Sequence, residues 1–211
     1  EMLKSTFLHL PGIGSKTERA LWKEGILTWD DFERVHPAQA TLFSTEDRET
    51  AHEVLAASRD ALASSNMDFF AERLPKHEHY RIALTVPDDT AFLDIETTGL
   101  SLYYDEITII GVGIDNEYKC YIAGHNKKEL VKMTRNAKCI VTFNGTIFDT
   151  RFIRKRFPEL YLPKAHIDLR FFARSVGLTG GQKRIEKKIG LNRSVDIQDV
   201  IGEKAPLLWH D

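Results

Sequence analysis

Cysteine is scarce: Cys120 and Cys139 are the only two in 211 residues, and each lies inside an apolar run. Their spacing makes neither a redox pair motif nor the close ligand set of a zinc site, so two buried free thiols are expected. Positive charge is not in excess either. With a formal net charge of -2 the chain has no global attraction for nucleic acid, and any such binding must be local. Long apolar stretches are missing: no run is long enough to span a membrane, and no basic start leads into an apolar signal core, so the expected compartment is the cytoplasm. His77 and His79 could share a strand face, but two histidines do not make a metal site. What remains is a chain with 42% hydrophobic and 28% charged residues, which can bury a core. Its length suits one large domain, or a small module beside a medium one.

The first third reads as helical. Residues 7–25 are FLHLPGIGSKTERALWKEG, with Leu8 and Leu10 before a Pro-Gly-x-Gly turn. Ile13, Thr17, Ala20 and Leu21 then recur at helical spacing until Gly25. A turn of this kind presents backbone N–H groups at Gly12 and Gly14 to an anion such as a phosphate, and Lys16 adds charge without reading a base. The alternative is a hairpin that merely packs two helices. Thr28 and Asp31 form a partial capping box for a short helix, residues 44–64 start with an acidic turn and read as a longer one, and residues 66–74 add Met67, Phe69 and Phe70. Residues 75–90 are the expected joint, where the patch at 82–86 reads as an edge strand or a segment lying across the junction.

The rest of the chain is organised around residues 90–100, TAFLDIETTGL. In a strand, side chains two apart share a face, so Asp94 and Glu96 stand together while Leu93 and Ile95 pack behind them. Two such carboxylates raise each other's proton affinity, and a hard divalent cation would offset that cost. Taken alone, Asp-x-Glu fits an edge strand with a solvated polar face just as well. Residues 106–115 and 119–123 read as two further antiparallel strands, 127–133 as a helix, 139–142 as a short buried strand and 147–157 as a helix with Phe148, Phe152 and Ile153 inward and Arg151, Arg154, Lys155 and Arg156 outward. The expected fold is therefore α/β, a mixed sheet flanked by helices, with a small all-helical module before it. Between strand and helix, VTFNGTIFD places Asn144 and Gly145 in a turn and Asp149 at the helix start, where it can meet Asp94 and Glu96 at one sheet edge. Asp168 can cap a helix at 169–176 with Phe171, Phe172 and Val176 inward, and residues 179–189 give a basic helix with Ile185 and Ile189 inward.

Asp94-Ile95-Glu96-Thr97-Thr98-Gly99 and Asn144-Gly145-Thr146-Ile147-Phe148-Asp149 resemble the first two motifs of the DEDD superfamily of 3'-5' exonucleases, which have an RNase H-like fold. The later Gly180-Gly181-Gln182-Lys183 stretch is similar to RNase H-like proteins of the YprB type, and residues 10–20 resemble a helix-hairpin-helix element. The resemblance implies a helical module at 1–76 and an RNase H-like exonuclease domain at 77–211. It implies Asp94, Glu96 and Asp149 as catalytic metal ligands for Mg2+ or Mn2+, with Thr97 and Thr98 beside the terminal nucleotide. Asn144 would orient the second loop or touch the substrate, and Asp168 would stand behind the ligands. The implied partner is the end of a single-stranded DNA or RNA, with Gly12, Gly14 and Lys16 gripping the nucleic-acid backbone.

The family also uses a fourth carboxylate preceded by a histidine or tyrosine. Asp168, Asp196, Asp199 and Asp211 lie downstream of Asp149, but none has that partner at the expected spacing. The chain is therefore expected to be truncated at its C-terminal side, to bind one ion weakly and to cut slowly. Two rival readings keep other functions open: a non-catalytic nucleic-acid-binding protein of the same fold, and a scaffold whose N-terminal helices bind protein.

Overall fold

A computed structural model describes residues 2–34, 45–122 and 124–191, and these divide into two compact units, Glu1–Pro87 and Asp88–Asp211. Asp196, Asp199, Asp211 and the apolar run at 206–209 lie outside the described residues.

Among the described residues, the regular elements of the first unit are all helical. A 3-10 turn, Met2–Ser5, is followed by α1 (Ser15–Lys23), α2 (Trp29–Arg34), α3 (Thr45–Ala63), α4 (Met67–Arg73) and α5 (Tyr80–Thr85). Gly12, at φ 75°, takes the left-handed turn that glycine makes at little cost, and Gly14 is the N-cap of α1. The capping box at α2 forms with aspartate in the usual glutamate place: Asp31 Oδ2 accepts from the Thr28 amide at 3.0 Å, and the Asp31 amide donates to Thr28 Oγ1 at 3.3 Å. Phe7, Leu21, Trp29, Leu55, Met67, Phe70 and Ile82 are fully buried. At about 1.5 to 3 kcal/mol for each large side chain, they outweigh the weak propensity of such short helices. The N-terminal segment is tied down by two indoles, since Trp22 Nε1 donates to the Ser5 carbonyl at 3.1 Å and Trp29 Nε1 to the Thr6 carbonyl at 2.8 Å. The apolar patch at 82–86 is not a strand. Ile82 is buried on α5, whose amides are satisfied locally, and His77 and His79 sit in a 3-10 turn and at a helix cap rather than on a strand face.

The second unit is a five-stranded mixed sheet in the order β3-β2-β1-β4-β5, from β1 (Thr90–Thr97), β2 (Ile107–Ile114), β3 (Glu117–Ile122), β4 (Cys139–Thr142) and β5 (His166–Asp168). The first three strands pair antiparallel; β4 pairs parallel with β1, and β5 parallel with β4. One face of the sheet is covered by α6 (Lys127–Thr134) and α7 (Asp149–Arg156), which bring Leu130, Phe152 and Ile153 against Leu93, Ile95, Ile110 and Val112. This is the expected RNase H-like architecture.

Three further details differ from expectation. On α8 (Leu169–Ser175) the buried residue is Ala173, and Phe171 and Val176 are exposed; Phe171, two positions earlier, lies about 200° round the helix. On α9 (Gln182–Lys188) Ile185 is buried, but Ile189 follows the helix end and is exposed. Cys139 is buried, and Cys120 is only partly so.

Candidate active site

The β1 strand alternates as its sequence dictates: Leu93 and Ile95 are buried, while Phe92, Asp94 and Glu96 face the other way. Its ladder to β4 ends at the Phe92–Val141 pair, so the later β1 amides on that side lack a strand partner. Asp149 supplies one. Its Oδ1 accepts from the Ile95 amide at 3.2 Å, which seats a buried carboxylate against the backbone midway between Asp94 and Glu96.

The loop that delivers Asp149 is tightly built. Asn144 has φ 68°, a left-handed conformation that asparagine tolerates, and a side chain at Gly145 would collide with Thr142. Asp168 holds this loop from below, accepting from the Asn144 amide at 2.8 Å, the Thr146 amide at 2.9 Å and, as the N-cap of α8, the Arg170 amide at 3.1 Å. Arg170 Nη1 donates to Asn144 Oδ1 at 2.6 Å, which fixes the side-chain amide. The expected cap at Asp168 is thus present, and the same carboxylate also organises the Asn-Gly turn.

Electrostatics set these acids apart. Burial, then the Asp94 charge, push Asp149 up from the ordinary aspartate range to about 7, with Asp168 adding to the rise; two backbone amides oppose it. Glu96 is raised in the same way, by burial first and Asp94 second. The donor set is oxygen alone, and the strain is that of like charges, a combination that suits Mg2+ or Mn2+. In donor chemistry these residues fit such an ion. Among the described residues, however, no three histidine, cysteine or acidic side chains are gathered closely enough to ligate one ion together.

Thr97 is buried, and its hydroxyl donates to the Gly99 carbonyl. Thr98 Oγ1 donates to Asp105 Oδ1 at 3.0 Å, so both hydroxyls are used within the loop after β1. Gly12, Gly14 and Lys16 are exposed in the other unit, with open space around both glycines.

Sequence reasoning passed over Tyr118 and Gly111. A cleft of about 250 Å³ lies along the carboxylate face of β1, lined by Phe92, Asp94, Gly111, Gly113 and Tyr118 among others. A Cβ at Gly111 would stand 2.5 Å from the Tyr118 hydroxyl, so glycine there is what lets the tyrosine lie across β2. The signal was present: glycines inside an otherwise apolar strand mark a close approach. Arg170, which holds Asn144, left no comparable mark.

Comparison with curated protein sequences gives no match. Among solved structures, one similar chain is the family B DNA polymerase from the hyperthermophilic archaeon Pyrobaculum calidifontis, at 16% identity and a TM-score of 0.47, covering 58% of this chain and 21% of the polymerase. Another is the Nibbler EXO domain of Aedes aegypti, at 12% identity and a TM-score of 0.34, covering 47% of this chain and 52% of that one. The chain thus spans about a fifth of the first and about half of the second. No described helix is long and apolar enough to cross a membrane. The family profile RNase_H_2 matches residues 91–211, from within β1 through the described strands and helices that follow it, and on that match the chain belongs to the RNase_H superfamily.

Proposed function

We propose that the sheet unit is a divalent-metal-dependent 3'-5' exonuclease that hydrolyses phosphodiester bonds at the end of single-stranded DNA or RNA. Membership of the RNase_H superfamily supports a nuclease-type function. The observation that carries the finer reading is the seating of Asp149 on the Ile95 amide, between Asp94 and Glu96, in a state where it favours its proton up to about pH 7. Asp94, Glu96 and Asp149 would hold Mg2+ or Mn2+, which when bound supplies Lewis-acid polarisation of the phosphodiester and a more acidic water. The residues' own work is to present carboxylate oxygens to the cation and to release the Asp149 proton as it arrives. Asn144, held by Arg170, would face the substrate; the chain at Thr97 and Thr98 would pass beside its terminal nucleotide. Asp168 is a positioning residue, since it acts through the loop it pins. Gly12, Gly14 and Lys16 would give weak, salt-sensitive contact with a nucleic-acid backbone.

The test is degradation of a 5'-labelled single strand in Mn2+, by the wild type and by Asp94→Asn and Asp149→Asn. Laddering from the 3' end that is lost in both variants supports the reading; equal rates in all three sink it. One observation favours a second reading, a non-catalytic nucleic-acid-binding protein: among the described residues the carboxylates do not gather three to one ion. Under that reading the wild type binds the strand in EDTA and in Mn2+ alike and leaves it intact.

A further inference from the structure

The loop that follows the carboxylate strand is tied together by its own side chains and turns its aromatic residues outward. Asp105 is its hub: Oδ2 accepts from the Ser101 amide at 2.7 Å, Oδ1 from Thr98 Oγ1 at 3.0 Å, and the Asp105 amide donates to the Ser101 carbonyl at 2.9 Å. The Tyr103 and Tyr104 amides both reach Ser101 Oγ, at 3.3 Å. Gly99 leaves the room this hub requires, because a Cβ there would lie 2.6 Å from Asp105 Oδ2. The outcome is an ordered loop with Tyr103 77% and Tyr104 90% exposed, an arrangement that folding alone does not ask for.

Helix α7 meets this loop along its basic side. Arg156 Nη2 donates to the Tyr103 carbonyl at 2.9 Å, and Lys155 Nζ lies 3.8 Å from the centroid of the Tyr103 ring. Arg151, Arg154 and Lys155 are all exposed, and among the described residues none of the three has a carboxylate within ion-pairing distance. Lys127, by contrast, is paired with Glu159 at 2.8 Å. Unopposed cations interleaved with outward tyrosines match a polymer that carries both phosphates and flat bases. The placement is specific as well. Asp149 begins α7, and Lys155 is six residues further on, about 9 Å along the axis, which is the length of two to three stacked nucleotides at about 3.4 Å each.

We propose that residues 101–105 and the basic side of α7 form a subsite for single-stranded nucleic acid two to three nucleotides from the carboxylates. Tyr104 stacks on a base, Arg151, Arg154 and Lys155 take successive phosphates, and Tyr103 holds the Lys155 ammonium in place. This deepens the exonuclease reading and rests on it for the position of the strand end, though not for the binding itself.

The test uses the whole chain in EDTA with 5'-fluorescein decathymidylate and decauridylate, read by anisotropy, beside hydrolysis of a thymidine dinucleotide in Mn2+. Tyr104→Ala should weaken decamer binding about tenfold while Tyr104→Phe keeps it, because the ring and not the hydroxyl does the stacking. Lys155→Ala should weaken binding and reduce its salt dependence by about one phosphate contact. Dinucleotide hydrolysis should be unchanged in all three, since so short a substrate does not reach the subsite. If no form cuts the dinucleotide or, once Mn2+ replaces EDTA, the decamers, but the affinity pattern holds, the exonuclease reading fails and the subsite stands. Decamer affinity unchanged in Tyr104→Ala and Lys155→Ala, absent in the wild type, or abolished as readily by polyglutamate as by unlabelled oligonucleotide, overturns the subsite.

Discussion

Among the described residues the most buried acid of the helical unit is Glu18, at 2% exposure, and that of the sheet unit is Asp149, at 3%, and the two are treated in opposite ways. Glu18 lies in a closed network. Its Oε1 accepts from Thr6 Oγ1 at 2.6 Å and the Phe7 amide at 2.8 Å, and its Oε2 meets Arg81 at 3.1 Å; Arg81 Nε in turn reaches Glu78 at 2.6 Å. Asp149 faces Asp94 and Asp168 instead, with two backbone amides as its only relief among the influences on its charge. A buried charge with its counter-charge in place is a fastener. One surrounded by its own sign is kept at a cost to stability, and such a cost points to use.

The largest effect should come from opening the closed network. Glu18→Ala leaves the buried Arg81 guanidinium with Glu78 alone and should cost about 3 to 5 kcal/mol in urea unfolding of the helical unit. Tryptophan fluorescence is a suitable probe, because Trp22 and Trp29 both lie in that unit and Trp29 is fully buried.

Asp149→Asn should act with the opposite sign. Because the folded pKa is raised to about 7 from 3.8, the folded state holds the proton more tightly, and the stability this gives is complete below about pH 4 and is lost as pH rises through 7. In EDTA at pH 8 the asparagine variant should therefore be more stable than the wild type by about 2 to 3 kcal/mol, with the gap closing at pH 4. Saturating Mn2+ should reverse the order by stabilising the wild type alone, which calorimetry can follow. A variant that is less stable at pH 8 in EDTA would show Asp149 to be another fastener.

His9 provides a third case. It is buried against Trp29 at 5.3 Å and Phe70 at 5.7 Å between ring centroids, neither ring nitrogen has a hydrogen-bond partner among the described residues, and burial, with Arg73 second, lowers its pKa to about 4. A depressed histidine is neutral when folded, so stability should fall as pH drops from 6.5 through 4, by about 2 kcal/mol. His9→Leu should remove that slope from acid-dependent melting of the helical unit.

The smallest effect belongs to Asp168, whose carboxylate is held by backbone amides. Asp168→Asn keeps one acceptor for the amides of Asn144, Thr146 and Arg170 and should cost about 1 kcal/mol. If Asp168 positions the Asn144 loop, KM for a single strand should rise more than kcat falls.

Much of the sheet was legible because its signals are local. The two-residue period of β1, the Ile and Val run of β2 and the Asn-Gly turn before α7 each follow from side-chain size or backbone freedom at a named position. The patch at 82–86 was not legible, since five apolar-rich residues fit either period and only the packing of Ile82 decides for α5. The outward Phe171 and Ile189 misled for a similar reason, each sitting on or just after a seven-residue helix with a single buried contact point. At the site, the acids announced themselves by spacing. Glu18 did not, because its partner Arg81 is 63 residues away and nothing in the α1 pattern separates a buried glutamate from a solvated one. Arg170 and Tyr118 act through tertiary contacts of the same kind.

The hydrogen bond from the Ile95 amide to Asp149 turns one backbone proton into a gauge of the site. That amide lies in the central strand, where exchange with solvent deuterium is slow, yet its acceptor is a side chain whose charge and orientation change with occupancy. A cation that draws Asp149 Oδ1 toward itself, or a proton that neutralises it, weakens this bond while the neighbouring ladder to β2 stays intact. Exchange at Ile95 alone, measured against Leu93 and Ile110, would then follow the binding of an ion or a nucleotide without a label, a substrate or any turnover.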